Sequence, residues 1–340
     1  MTALRTYRRT GPAVALALAA GMLTVTQAFA NETIRWGSSS LGAGSQTTIA
    51  AMASVVAKKT DLKLVEQVTG GPSENMRLIQ QGEIEIGQLT SGIAYDGYHG
   101  NNQFAAQGKT DMQGLFTLYP ANMTFAVAAD SGMRTVDDVK GKRIAVGPPG
   151  STAPKWIQAW LDAYAASEGT DLVRIGYVEG CDALQTGTVD ACLIFVTGST
   201  PGGFTQRLDL AMDIVPIEWS TEGGGFQRLE EERPELAVPG MIVAGSLKNL
   251  DRDIQVPGTF SAEYTPTGAI SEEEGYQIVK AIWENREEIA SRVAIAKWYG
   301  QSPANLLAGL APSIPVHPGA ARFYKEMGVW DDRYTVGSAE

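Results

Sequence analysis

The residues best suited to chemistry in this chain are small, polar and grouped where helices should begin. Gly44, Ser45, Gln46 and Thr47 head an apolar-periodic run, and Gly71, Ser73 and Asn75 flank Pro72 after a glycine turn. Gly150, Ser151 and Thr152 form a third group. The first turn of a helix leaves backbone N–H groups without partners, and neighbouring Ser, Thr and Asn add polar groups of their own. Each group is therefore suited to hold a small anion. Thr90, Ser91 and Tyr95 follow a strand end, and Thr197, Gly198 and Pro201 hold the matching place later in the chain. Ser and Thr are also ordinary helix caps. Asn75 gains nothing locally from a helix interior, so it either touches ligand or binds backbone and braces the loop that does.

Other chemistries lack their partners in the sequence. His99 and His317 are the only histidines, and with Cys181 and Cys192 they show no zinc spacing. No Gly-Lys-Ser/Thr follows Gly150, so its loop is no P-loop. G-x-S-x-G is absent, and neither histidine has an evident catalytic setting. The expectation is a binding protein with no catalytic residue, metal or cofactor. Arg77, Arg143, Arg174 and Lys155 are the cations near the candidate loops, any one of which could pair with a carboxylate. Trp156 and Trp160 read as core.

The chain has 340 residues and a net charge of −11. Arg5, Arg8 and Arg9 precede the apolar stretch Pro12–Val25, and Ala28-Phe29-Ala30 is an A-x-A cleavage pattern. This predicts a signal peptide over residues 1–30, cleaved after Ala30, and export to the periplasm. Removing those arginines deepens the acidic excess, which argues against nucleic acid and anionic membrane surfaces as partners. An anionic ligand must then be held by local N–H groups or a few placed cations. Export permits a Cys181–Cys192 disulfide, and two buried thiols are equally compatible with the sequence.

The elements that must position these residues occur twice. In the first half, strand Ile34–Gly37 leads through a Gly/Ser loop into helix Thr47–Lys59, and strand Lys63–Val68 follows. Then come a helix from Pro72 stopped at Gly82, the alternating strand Glu83–Ile86 and a polar loop. In the second half, strand Arg143–Val146, a Gly-Pro-Pro-Gly-Ser-Thr turn and helix Pro154–Ala166 precede strand Val173–Val178. A short helix Asp182–Gln185 and strand Asp190–Val196 complete it. GEIEIGQLTSG (82–92) answers GTVDACLIFVTGS (187–199), as a duplicated unit would. Between the halves, Leu115–Tyr119 and Thr124–Ala128 read as strands, and Thr259–Tyr264 suits a strand crossing between lobes. Ser271 with Glu274 is a capping box opening helix Glu272–Asn285. The expected fold is α/β and two-lobed, each lobe a mostly parallel sheet with helices on both faces. Residues 31–125 and 257–340 form lobe 1 and 126–256 form lobe 2. Ligands of such sheets bind at the carboxyl ends of the strands, here in the cleft between lobes.

TGGPSENMRLIQQGEIEIGQLTSGIAYD, GTVDA and IPVHPGAARFYKEMG together resemble the TAXI-type solute receptors of TRAP transporters. The resemblance covers most of the chain after residue 30. It implies a periplasmic binding protein with two crossovers between lobes, closing on a small organic anion and delivering it to the membrane subunits of an ion-gradient-driven transporter. A monomer is expected. Ligands of that family include glutamate-like and other dicarboxylates. Many members carry a glycine pair followed by aromatic residues where this chain has Gly44-Ser45-Gln46-Thr47, so the particular anion does not carry over. His317, in the HPGA block, reads as structural. The alternatives are the same scaffold serving an ABC transporter or a sensor and, less favoured, an exported hydrolase.

Overall fold

The computed structural model describes residues 33–39, 41, 43–148 and 153–339. The leader expected at 1–30 and the Gly150–Thr152 group lie outside them. The first module is strand β1 (Ile34–Gly37), helix α1 (Gly44–Lys59), β2 (Leu64–Gln67), α2 (Pro72–Gln81), β3 (Ile86–Thr90) and α3 (Ser91–His99). A long strand β4 (Met112–Ala128) leads to the second module, which holds β5 (Arg143–Ala145), α4 (Ala153–Ala163), β6 (Asp171–Val173), α5 (Tyr177–Gln185) and β7 (Ala191–Thr197). Then come β8 (Thr200–Pro201), α6 (Gly203–Ala211), β9 (Ile214–Pro216), α7 (Gly224–Glu232), β10 (Val238–Ile242) and a second long strand, β11 (Ile254–Pro266). Helices α8 (Glu272–Glu284), α9 (Arg286–Arg292), α10 (Pro303–Ala308) and α11 (Pro318–Glu326) close the chain.

The strands order as β2-β1-β3-β11-β4-β7-β5-β6, with β10 beside β11, β8 beside β7 and β9 beside β4. β1 is parallel to both β2 and β3, and β5 is parallel to both β6 and β7. The antiparallel pair β4/β11 joins these two wings, β11 opposing β3 and β4 opposing β7. The expected α/β, two-winged architecture is thus the observed one.

The duplication is visible in side-chain detail. Arg35, in β1, donates from Nε and Nη2 to the Glu85 carboxylate at 3.1 and 2.6 Å, and from Nη2 to the Gly82 carbonyl at 3.0 Å. Arg143, first in β5, does the same to Asp190 at 3.1 and 3.0 Å and to the Gly187 carbonyl at 3.1 Å. Gly82 and Gly187 both have φ near +70°, which ends the preceding helix and turns the chain toward the acid. These clips hold the amino ends of the strands and leave the carboxyl ends to the loops. Arg143, a candidate ligand cation in the sequence, is committed to Asp190.

Several boundaries differ from expectation. Leu115–Tyr119 and Thr124–Ala128 are one strand running through Pro120. The register against β11 shifts just before Pro120, with Ser261 opposite Tyr119 and Ala262 opposite Thr117, and such a bulge is where a strand accommodates proline. β3 begins at Ile86 rather than Glu83, because the Glu83 N–H still closes α2 on the Leu78 carbonyl at 2.9 Å. The strand expected over Val173–Val178 ends at Val173, and α5 begins at Tyr177, its first turn closed by Gly180 N–H on the Gly176 carbonyl. The alternating Val173, Ile175 and Tyr177 imitate a strand there, but only 171–173 have a partner in β5. The capping box of Ser271 and Glu274 at α8 is formed as expected.

The core buries Trp36, Trp160 and Trp219 completely. Trp36 Nε1 donates to Glu263 at 2.7 Å, and Trp219 Nε1 donates to Thr124 at 3.0 Å. Glu263 has no exposed surface, and burial drives its carboxyl well above the ordinary value of 4.5, against a smaller opposing effect of the Trp36 hydrogen bond. The folded protein therefore holds a proton that the unfolded chain releases above that value. Stability from this group is fully present below pH 4.5 and is lost as pH rises toward the raised folded value. Compared with Glu263→Gln, the wild type should lose about 1.4 kcal/mol per pH unit across that window. Denaturant titrations of both proteins at successive pH values check this; parallel curves would contradict it.

Candidate functional site

The stretch around α2 ties strand ends together. Gly71 has φ +104°, a conformation that other residues rarely adopt, and α2 starts directly after it. Asn75 is completely buried. Its Nδ2 donates to the carbonyls of Ser38 at 2.7 Å, Gln88 at 2.8 Å and Gly37 at 3.3 Å, and its Oδ1 accepts from Thr69 Oγ1 at 2.7 Å. One amide thus joins the carboxyl end of β1, the β2–α2 turn and β3. A methyl on Gly37 would lie 2.8 Å from Asn75 Oδ1, so the glycine admits the amide. Asn75 spends its hydrogen bonds on the framework. Ser73 is half-buried and accepts from Gln103 Nε2 at 3.3 Å, while Gly71 lies against Ser39.

Beside that turn, the head of α1 begins a line of hydroxyls. Ser45 Oγ is 2.6 Å from Ser39 Oγ, and both residues are buried. The Tyr119 hydroxyl lies near the same helix head, 3.9 Å from where a methyl on Gly44 would sit, with Ser45 and Ser261 close enough to favour its ionised form against burial. Gln88 Nε2 donates to Ser261 Oγ at 2.7 Å. The register explains the line. Tyr119, Ser261 and Thr90 are directly opposed on β4, β11 and β3, and opposed residues of antiparallel strands share a face. Burial drives the Tyr119 hydroxyl up to about 12, so it remains a donor at neutral pH. Thr90 Oγ1 is buried beside this line without a partner. Gln46 is held by Glu66 at 3.3 Å, and the Thr47 hydroxyl turns back onto the Gly44 carbonyl at 3.1 Å. Gly44 is exposed at the helix head.

Ser91 and Tyr95 belong to α3, which leaves β3 at Thr90 and turns them to a different lining. Ser91 Oγ accepts the N–H of Phe260, whose side chain turns away from that of Ser261. Ser91, Tyr95 and Phe260 line a crevice of about 380 Å³ with Leu310, Arg333 and Tyr334. Arg333 pairs with Asp331 at 2.9 Å and is the cation in that lining.

Two approaches of the second wing to the first lie near these loops. Thr197 and Thr200 pair across a tight turn whose first residue, Gly198, has φ +55°. A methyl on Gly198 would lie 4.0 Å from Trp298, whose ring is 6.1 Å from that of Phe260. A methyl on Gly92 would lie 3.2 Å from Trp156 at the start of α4. Pro201 is half-buried in the same hairpin. Next to it, half-buried Tyr177, Phe195 and Phe204 pack together, Tyr177 stacked on Phe204 at 5.4 Å. A methyl on Gly147, just before the undescribed 149–152 loop, would meet the Tyr177 ring. Arg77, Arg174 and Lys155 are exposed. Cys181 and Cys192 are buried thiols with sulfurs 3.6 Å apart.

Ser39, Tyr119, Ser261, Trp298 and the second-wing rings were not singled out by sequence reasoning. Only Ser39 left a signal, in the serine run after β1; the others depend on long-range pairing. His317 caps α11, its Nδ1 accepting from Gly319 N–H at 3.2 Å, and it lies 3.3 Å from the Ile270 carbonyl through Nε2. Burial lowers its basicity, as suits a neutral structural ring.

Because Asn75 bonds the framework on every side, Asn75→Ala should cost about 3 kcal/mol of stability by stranding buried carbonyls and the Thr69 hydroxyl. Urea denaturation would measure the loss; an unchanged midpoint would contradict the bracing role.

Comparison with known proteins places this geometry in a family. Among solved structures, the chain resembles the periplasmic aliphatic sulphonate binding protein SsuA from Escherichia coli at 14% identity, covering 79% of this chain and 78% of that one, with a TM-score of 0.46. It also resembles substrate binding domain 2 of Lactococcus lactis GlnP in its open conformation, at 12% identity, covering 79% and 96%, with a TM-score of 0.43. A substrate binding protein of an amino acid ABC transporter matches at 15% identity, covering 80% and 100%, with a TM-score of 0.40. The family match is independent of these and runs over residues 45–328, from the Ser45 that opens the hydroxyl line to the Gly328 that follows α11. Spanning both wings and the strands that join them, that match makes this chain a member of the NMT1-like family.

Proposed function

We propose that the protein is an exported solute receptor that binds a small organic anion and delivers it to a membrane transporter. The observation that carries this reading is Thr90 Oγ1, a buried hydroxyl without a protein partner, in register with Ser261 and Tyr119. Buried polar groups are ordinarily satisfied, and a ligand acceptor would satisfy this one. The heads of α1 and α2 add backbone N–H groups in the same region. The half-buried rings Tyr177, Phe195 and Phe204 offer a surface for the ligand's carbon skeleton. The candidate contacts are Gly44, Ser45, Gln46, Thr47, Gly71, Thr90 and the 150–152 loop, with Gly198 from the facing hairpin. Ser91 and Tyr95 belong to the adjoining crevice, and Asn75 acts through the loop it braces.

The proposed cycle is hinged closure between 31–125 with 257–340 and 126–256. The pairing of β4 supports these bounds, since its residues up to Asn122 face β11 and those from Asn122 onward face β7. Ligand bridging both wings would favour the closed state by its differential affinity. The TGGPSEN and HPGA blocks support a TRAP transporter as recipient, with the expected leader at 1–30 directing export to the periplasm. Delivery to an ABC transporter is the competing assignment, and reconstitution with membrane subunits encoded alongside this chain would separate them.

A thermal-shift screen of small carboxylates and sulfonates, followed by titration calorimetry, tests the receptor reading; absence of any ligand in both classes would refute it. Thr90→Val is the sharper variant. Removing an unpartnered buried hydroxyl should leave stability unchanged or slightly raised, while affinity falls about ten-fold through loss of a charge-assisted hydrogen bond. Equal affinity in Thr90→Val would remove Thr90 from the site.

A further inference from the structure

Cys181 and Cys192 are the chain's two cysteines, and the receptor reading uses neither. Cys181 sits mid-way along α5 and Cys192 is the second residue of β7, 11 positions later. Their sulfurs stand 3.6 Å apart, the Cys192 thiol donating to Cys181, and each residue is 1% exposed. Small neighbours bring them together. Cys192 is paired with Ala145 on the adjoining strand β5. A methyl on Gly180 would lie 2.9 Å from Ala145 Cβ and 3.9 Å from Cys192 Cβ, so the glycine lets α5 come this close to the sheet. Cys181 is the next residue along. Metal binding does not account for the pair, since no group of three His, Cys, Asp or Glu side chains among the described residues is placed to hold an ion.

Bonded sulfurs stand about 2.05 Å apart, so this pair has about 1.5 Å left to close, within the reach of side-chain rotation. Two thiols in contact gain little over any small apolar pair, whereas a bond between them closes a short loop and removes that freedom from the unfolded chain. The chemistry needs only an exchangeable organic disulfide, R–S–S–R. One cysteine thiolate attacks a sulfur of that disulfide, forming a mixed disulfide and releasing RS⁻. The second thiolate then attacks the cysteine sulfur of the mixed disulfide, forming the Sγ–Sγ bond and releasing another RS⁻. The two cysteines are oxidised, R–S–S–R is reduced to two RSH, and these carry away both protons. The position of the bond matters for the second wing. Tyr177 lies one helical turn before Cys181 on α5, its ring 5.3 Å from that of Phe195 on β7 and 5.4 Å from that of Phe204.

We propose that Cys181 and Cys192 are an oxidation site whose disulfide pins α5 to β7 and holds the Tyr177 ring against Phe195. The bond rests on this geometry alone. Only the compartment that supplies the oxidant rests on the export expected of the receptor, so the test uses a defined oxidant. The full chain, purified reduced, is equilibrated with oxidised and reduced glutathione in urea just below its unfolding midpoint, which opens the buried sulfurs. After removal of urea and glutathione, a sample is denatured and alkylated. Mass spectrometry should find no alkylated thiol and a chain lighter by two hydrogens. Two alkylated thiols, a glutathione adduct or a disulfide-linked dimer would each overturn the proposal. The oxidised chain should melt about 5 °C above the same chain in dithiothreitol, and Cys181→Ala/Cys192→Ala should melt alike in both. Equal melting of the oxidised and reduced wild type would overturn the stabilising role. If the double variant does not fold, alkylation of the wild type still decides the bond. Amide hydrogen exchange across Tyr177–Gln185 should accelerate on reduction. Unchanged exchange would overturn the pinning of α5 even with the bond formed.

Discussion

Two parallel modules can share one sheet only through strands that run against both, and this constraint organises the molecule. β4 and β11 meet it by pairing with each other and reaching β7 and β3 on their outer sides. Both are buried for most of their length, so every backbone group must find its partner in the sheet and every polar side chain must find one nearby. The length of β4 follows from this. It serves one wing with its first part and the other with its last, and no loop could change partners inside the core without stranding backbone groups.

The same constraint explains where polar residues occur in the interior. Ser261 and Glu263 lie on β11 opposite Thr90 and Gln88 on β3, so their alternation builds one polar face across the middle of an otherwise apolar sheet. On the other side of β3, Gly87 and Gly37 leave the space that Asn75 fills with its amide. The faces are handled differently. The amide donates to backbone carbonyls, accepts from the Thr69 hydroxyl and behaves as framework. The hydroxyl face retains Thr90 Oγ1 without a protein partner, which a binding surface can use and a framework has no need of.

Much of the first module could be read directly from the sequence, because its signals are local. Pro72 and Gly82 bound α2, and Ser271 with Glu274 starts α8. The repeat of Gly82–Gly92 in Gly187–Ser199 pointed to two equivalent units, and the Arg35–Glu85 and Arg143–Asp190 clips carry it into three dimensions. Local signals failed where pairing overrides them. Leu115–Tyr119 and Thr124–Ala128 read as two strands, but β11 and a bulge carry one strand through Pro120. The alternation over 173–178 suggested a strand, but no partner runs beside its second half. Of the candidate site, Ser45 and Thr90 could be named from the sequence, because they follow local loop logic. Tyr119 and Ser261 could not, since they are 142 residues apart and only the β4/β11 register makes them neighbours.

The two clips also bear on why duplicated units need not make a symmetric site. Arg35 and Arg143 perform one task at the amino ends of their strands, where rigidity is served by the same solution twice. At the carboxyl ends the units diverge. The first wing presents hydroxyls, whereas the second presents the rings of Tyr177, Phe195 and Phe204. A ligand with a charged head and a carbon skeleton has two chemically different ends, and facing modules with different chemistry can grip it in one orientation. Conservation of the clips and divergence of the loops are therefore complementary: the shared framework keeps both strand-end regions facing a common space, and that leaves their side chains able to specialise.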